Sequence, residues 1–157
     1  MRVAIITISD TVSRGGREDL SGAAVEGRCR ELGWELVCKK VLPDELDAIR
    51  DLLVRLGDSG SVDLILTTGG TGLGPRDVTP EATAAAAERM VPSLGERIRL
   101  VTGRNFPRAY LSRSAAGIRG KTLILNLPGS PGGAVESLDA VTDLLPHAVA
   151  IVNGAGH

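Results

Sequence analysis

The sequence predicts an α/β domain built on a mainly parallel sheet, and three observations carry that prediction. Residues 3–8 (VAIITI), 62–66 (VDLIL) and 122–127 (TLILNL) are short, largely apolar runs that suit strands covered on both faces. Each run gives way to Ser, Thr, Gly or Pro and then to a helix-start signal, the rhythm of a strand, a turn and a crossover helix. The third observation is a reversal: residues 111–118 and 122–127 flank Arg119-Gly120-Lys121 and read as an antiparallel hairpin added to the parallel strands. At 157 residues the chain suits a single domain over 1–157, long enough to bury roughly two-thirds of its unfolded surface.

Taken in order, the first strand ends at Ser9 and Asp10, whose residue types are those of an ordinary turn but whose place is the carboxyl end of a strand. A polar loop over 11–19 follows, and Ser21 is positioned to cap a helix that ends near Gly33. Residues 35–42 alternate loosely and carry Lys39 and Lys40, so this strand is expected to be less buried. Leu46, Ile49, Leu53 and Leu56 recur at helical spacing until Gly57. Asp44 stands just before that helix, where spacing alone favours an N-cap.

The central strand runs into TTGGTGLGPRDVTPEAT, residues 67–83. Thr79 suits an N-cap, Pro80 suits the first helical position, where its missing N–H costs nothing, and Glu81 complements the positive helix end. The helix from Pro80 is expected to run to about Met90 and a second one to span 92–101. After the hairpin, Pro128, Gly129 and Ser130 form another turn after a strand. Val135, Leu138, Val141 and Leu145 then mark a helix that Pro146 breaks or restarts before a segment ending at Val152. The last few residues carry no element signal and are expected to fray.

In open α/β sheets ligands sit beyond the carboxyl ends of the strands, so the glycine turn is the candidate site. Gly69, Gly70, Gly72 and Gly74 let backbone approach a ligand closely and present N–H groups to an anion such as phosphate. It is neither of two familiar fingerprints. A dinucleotide finger starting at Gly70 and Gly72 would need glycine where Pro75 stands, and a Walker A loop from Gly69 to Gly74 would need Lys and Ser or Thr in place of Pro75 and Arg76.

A net charge of -1 and an aromatic set limited to Trp34, Phe106 and Tyr110 argue against a nucleic-acid binder, which needs basic excess and stacking platforms. Cys29 and Cys38 lack metal-ligand spacing and read as buried thiols in a reducing compartment. No leader pattern opens the chain and no apolar run approaches a membrane span, so a soluble cytoplasmic protein with no membrane partner is expected.

Thr7-Ile8-Ser9-Asp10, Pro43-Asp44-Glu45, the 67–83 block and LSRSAAGIRGKTLILNLPGSP (111–131) together resemble the molybdopterin adenylyltransferase family, over nearly the whole of residues 3–152. That family includes bacterial molybdenum-cofactor biosynthesis proteins and the G domains of plant adenylyltransferases and of gephyrin. The resemblance implies a three-layer sandwich with helices on both faces of the sheet, assembled as a homotrimer. It implies transfer of AMP from Mg-ATP to the terminal phosphate of molybdopterin, release of pyrophosphate, and delivery of the product to a molybdate-insertion protein.

Carried over by position, the family's catalytic and magnesium-holding aspartates fall on Asp44 and Asp77, which sets aside the cap reading of Asp44. Nucleotide and molybdopterin contacts fall on Ser9, Asp10, Thr68, Gly69, Gly70, Thr71, Gly72, Arg76, Ser112, Ser114, Pro128, Gly129 and Ser130. The residue types fit the chemistry. An ionised phosphate monoester needs no strong base, whereas bringing two anions together requires charge neutralisation by metal, backbone N–H and a cation from among Arg76, Arg113, Arg119 and Lys121. Two further readings belong to the same fold: a relative with different chemistry, such as a molybdate-insertion or competence-damage-like protein, and a non-catalytic paralogue or trimeric scaffold. Thr71 followed by PRDVTPE favours the adenylyltransferase side.

Overall fold

Along β1 (Arg2–Ile8) the residues face alternately two ways, and each way meets its own core. Val3 and Ile5 join one cluster; Ala4, Ile6 and Ile8 join the other. A computed structural model of the chain describes residues 1–155. After β1 come α1 (Asp10–Ser13), α2 (Leu20–Glu31), β2 (Glu35–Leu42), α3 (Leu46–Asp58), β3 (Leu64–Thr68) and α4 (Thr79–Ala86). β4 (Arg89–Met90), α5 (Pro92–Gly103), a 3-10 turn (Pro107–Leu111), β5 (Ala116–Arg119), β6 (Thr122–Leu127), α6 (Pro131–Asp139) and α7 (Leu145–Val152) follow.

The six strands form one sheet in the order β2-β1-β3-β6-β5-β4. β1, β2, β3 and β6 are parallel, and β5 runs antiparallel to both of its neighbours. The expected mainly parallel sheet with one reversed hairpin strand is therefore present. α2, α5, α6 and α7 cover one face through Val25, Ile98, Leu138 and Leu145, whereas α3 and α4 cover the other through Ile49, Leu53, Ala82 and Ala86. Helices on both faces make the three layers that the resemblance implies. Leu53 is fully buried, and truncating such a side chain to Ala typically costs about 2–5 kcal/mol.

The topology also sets the site. From β1 the chain moves outward to β2 and then returns to the other side as β3, so the strand order reverses between β1 and β3. At such a switch point the two exit loops diverge and leave a crevice. Here those loops begin at Ser9 and Gly69.

Several local expectations are corrected. The start of the 11–19 loop is a short helix, α1, because the Ser9 hydroxyl accepts from the Val12 N–H at 3.2 Å and the Ser13 N–H donates to the Ser9 carbonyl. Asp19 rather than Ser21 caps α2, accepting from the Gly22 N–H at 2.9 Å, and Ser21 lies inside the helix. The helix from Thr79 stops at Ala86 instead of Met90, since Glu88 and Val91 donate to Ile118 and Ala116 and draw Arg89–Met90 into the sheet. The hairpin strand begins at Ala116, not near 111. The preceding residues instead form the 3-10 turn and a bonded approach to the glycine loop. Val78, not Thr79, is the α4 N-cap, and Cys38 is half-buried whereas Cys29 is buried.

α6 ends at Asp139 and Pro146 sits in the first turn of α7, the restart that proline permits. After α7, Gly154 and Ala155 donate to Ile151 and Ala150. Residues 156 and 157 lie outside the described residues. Among the described residues no helix is long and apolar enough to cross a membrane.

Candidate functional site

The site is built from three loops at the carboxyl ends of β1, β3 and β6. Gly69 and Gly70 adopt φ of +104° and +64°, a region L side chains avoid, so the chain turns sharply as it leaves β3. Neither glycine has room for a Cβ: at Gly69 it would strike the Ile8 carbonyl oxygen, and at Gly70 the Thr79 hydroxyl, with Asp44 Oδ1 3.1 Å away. The turn's carbonyls are used up internally. Thr79 donates its Oγ1 hydrogen to Gly69 O at 2.9 Å and its N–H to Gly70 O at 3.1 Å, while the Arg113 N–H takes Thr71 O at 2.8 Å. Among the described residues no backbone carbonyl accepts from the N–H groups of Gly70, Thr71 or Gly72. The loop thus presents donors and hides acceptors.

Arg113 is the latch behind this arrangement. Its Nε donates to Gly72 O at 2.8 Å, its Nη2 to Asp77 O at 2.6 Å, and its Nη1 meets Glu81, whose carboxyl it holds below the ordinary range. A second support lies beneath. Fully buried Asn126 donates from Nδ2 to Thr67 Oγ1 at 3.0 Å and to Thr83 Oγ1 at 2.9 Å, joining β6, β3 and α4 under the turn. Thr68 is also buried and donates to Pro128 O at 2.8 Å, while Gly69 donates to Leu127 O and lies against Gly129, bringing the β3 and β6 loops together.

The carboxylates come from different loops. Asp44 does not cap α3, whose N-cap is Glu45. Its Oδ2 accepts from the Asp10 N–H at 2.8 Å, and Asp10 Oδ1 accepts from the Asp44 N–H at 3.1 Å. Arg76 crosses from the glycine loop to grip Asp10 through Nε at 3.0 Å and Nη2 at 2.9 Å. That guanidinium, by hydrogen bonding, is the main reason the Asp10 carboxyl is held below its usual range. Burial pushes Asp44 upward, and the charges of Asp10 and Asp77 add to the rise. Asp77 Oδ2 accepts from the Gly74 N–H at 2.8 Å. Each of Asp44 and Asp77 retains a carboxylate oxygen outside these hydrogen bonds, a donor set suited to a hard, oxygen-seeking cation that takes further ligands from a phosphate.

Two cavities of about 510 Å³ each meet at Gly70, Asp77 and Gly129. The first holds Ser9, Asp44, Gly69 and Ser130 and reaches Arg17, Asp19 and Ser21. The second holds Thr71, Gly72, Ser112, Pro128, Leu111 and Arg108. Of the residues expected at the site, Asp10, Thr68, Arg76 and Ser114 line neither cavity. Ser114 is buried behind Ser112, their hydroxyls 2.9 Å apart. Asp10 and Arg76 stand beside the first cavity, engaged with each other. The sequence reading missed Asn126, Asp19 and Arg108. Asn126 was detectable as the single polar residue of TLILNL after its opening threonine, whereas Asp19 and Arg108 had no distinguishing local pattern.

The site thus joins a donor-lined glycine turn to the carboxylates of Asp44 and Asp77 at the switch point of an α/β sheet. The family described as "Probable molybdopterin binding domain" matches residues 4–147, and the chain belongs to it. The chain is similar to the molybdopterin adenylyltransferase of Helicobacter pylori, at 40% identity over 156 residues covering 98% of this chain and 89% of that protein. It is likewise similar to the Escherichia coli K12 enzyme of the same name, at 41% identity over 146 residues, 91% of this chain and 74% of that one. The crystal structure of the molybdopterin biosynthesis enzyme MoaB from Thermus thermophilus superposes with a TM-score of 0.92 at 50% identity, covering 98% of this chain and 96% of that chain.

Proposed function

We propose that the protein is a molybdopterin adenylyltransferase, transferring AMP from Mg-ATP to the terminal phosphate of molybdopterin. The observation that carries this reading is the meeting of two cavities along a rim formed by Gly70, Asp77 and Gly129, with Asp44 on the first side. Two anionic substrates can enter from opposite sides and meet there. In the step proposed, an oxygen of the molybdopterin phosphate attacks the α-phosphorus of ATP, a new P–O bond forms, the bond to the β-phosphate oxygen breaks and pyrophosphate leaves. No proton transfer is required, because the nucleophile is already ionised.

What the chain supplies is position and charge. Asp44 and Asp77 would hold magnesium, which when bound neutralises the phosphates and lowers their mutual repulsion. The N–H groups of Gly70, Thr71 and Gly72 face phosphate oxygens, and their carbonyls, fixed by Thr79 and Arg113, do not oppose them. Ser9 and Ser130 serve the nucleotide side and Ser112 the molybdopterin side.

The same reading includes a homotrimer in the cytoplasm that hands its product to a molybdate-insertion protein. The apolar side chains left exposed on α5 and just after it, among them Leu100, Val101 and Phe106, support contact with further copies. Mass spectrometry of the product from Mg-ATP and molybdopterin tests the reaction: a species heavier by one AMP supports it, and unaltered molybdopterin refutes it.

A further inference from the structure

We propose that Arg108 is the residue that binds the phosphate of molybdopterin, and that the charge of the two cavities sorts the two substrates. The inference rests on the adenylyltransferase reading above. The fold engages or removes each of the four cations that the sequence offers for this role. Arg113 is committed to Gly72, Asp77 and Glu81. Arg76 is held by Asp10 through two hydrogen bonds. Arg119 grips both oxygens of Asp58 and the Ala86 carbonyl. It also lies with Lys121 at the hairpin turn before β6, whereas the site lies beyond the other end of that strand, roughly 20 Å away at about 3.3 Å per residue.

Arg108 differs in every respect. It lines the second cavity beside Gly70, Thr71, Gly72 and Ser112, it is exposed, and among the described residues it makes no hydrogen bond or ion pair through its side chain. Its backbone is nonetheless fixed. The 3-10 turn begins at Pro107, Ala109 donates to Phe106 O at 2.9 Å and Ser112 to Ala109 O at 3.1 Å, and the Tyr110 ring lies where any Cβ at Gly103 would be. A rooted side chain with a free planar head is suited to bidentate capture of a phosphate.

The cavities differ in sign. In the first, Glu18, Asp19, Asp44 and Asp77 face Arg17 alone, so a polyphosphate enters favourably only together with a divalent cation. In the second, Asp77 is the one carboxylate and Arg108 the one guanidinium, with a row of backbone donors between them and the exposed apolar walls of Leu73 and Leu111 outside. That wall suits a metal-free phosphate monoester carried on a flat heterocycle. The metal-chelated triphosphate is left to the first cavity.

The test is equilibrium binding without turnover. Molybdopterin is titrated anaerobically by pterin fluorescence, and Mg-ATP by calorimetry, into wild-type protein, Arg108→Gln and Arg108→Lys. Arg108→Gln is expected to raise the Kd for molybdopterin roughly tenfold or more and leave that for Mg-ATP unchanged, with Arg108→Lys between. Molybdopterin stripped of its phosphate should bind wild type and Arg108→Gln alike. An unchanged Kd for molybdopterin in Arg108→Gln, or a rise confined to Mg-ATP, overturns the assignment while leaving the adenylyltransferase reading standing. Wild-type protein that binds no molybdopterin overturns both.

Discussion

Asp10 and Asp44, which lie 34 residues apart, hold each other by a reciprocal pair of hydrogen bonds, each backbone N–H donating to the other's carboxylate at 2.8 and 3.1 Å. The pair staples the exits of β1 and β2, and Arg76 offsets the charge of Asp10. The consequence is a fixed orientation for Asp44 toward the glycine turn. Replacing Asp10 with Ala removes the acceptor for the Asp44 N–H and frees Arg76. Turnover should fall by up to about a hundredfold, the scale set by small misplacements of reacting groups, with little change in the thermal melt. Wild-type turnover in Asp10→Ala would contradict the positioning role.

Arg113 should behave as a support that no point charge replaces. Arg113→Ala leaves the carbonyls of Gly72 and Asp77 without their donors and Glu81 without its partner. A loss of about 2 kcal/mol in stability and a marked drop in kcat are expected, and Arg113→Lys should recover little because an ammonium cannot serve three sites in a plane. Added guanidinium at low concentration should restore part of the activity of Arg113→Ala. Equal activity in the Lys and wild-type proteins would argue against the latch.

Gly70 tests the turn itself. Its φ of +64° disfavours any Cβ, and an added methyl group would strike the Thr79 hydroxyl and crowd Asp44 Oδ1. Backbone strain alone costs about 1–2 kcal/mol, so Gly70→Ala should melt visibly earlier and lose turnover. Gly132, which lies in α6 with open space around its Cβ position, is the control: Gly132→Ala should keep turnover and melt no earlier than wild type.

Much of this arrangement was legible in the chain. The apolar runs identified β1, β3 and β6 because strands buried on both faces leave an unbroken signature, and the glycines at 69 and 70 marked the turn. Short-range pattern failed where long-range bonding decided the outcome. Asp44 looked like a cap because its partner, Asp10, is distant in sequence. Thr79 looked like a cap for α4 but spends its hydroxyl on Gly69. Residues 87–90 look helical in sequence, but β5 supplies a strand for Arg89 and Met90 to pair with. Among the cations, composition could not distinguish Arg113, fully engaged, from Arg108, which is free, since the difference lies wholly in neighbours brought by the fold.

Burial raises the carboxyl of Asp44 above the ordinary range, and this has two consequences of opposite sign. A carboxyl that binds its proton more tightly in the folded protein contributes stability at acid pH, and that contribution is lost as pH rises through the folded value. Near neutrality, without magnesium, Asp44→Asn should therefore melt higher than wild type. Magnesium binding requires the carboxylate, so the apparent metal affinity of wild type should fall with decreasing pH at a higher pH than an ordinary aspartate would give. A lower melt for Asp44→Asn in metal-free buffer would contradict this account.

Pyrophosphate release from Mg-ATP, measured with and without molybdopterin, shows whether the two cavities deliver two anions to the rim that carries Asp77. Release should depend on molybdopterin in wild-type protein and be abolished in Asp77→Asn with an unchanged circular-dichroism melt. Release that ignores molybdopterin, or wild-type release from Asp77→Asn, would contradict that delivery.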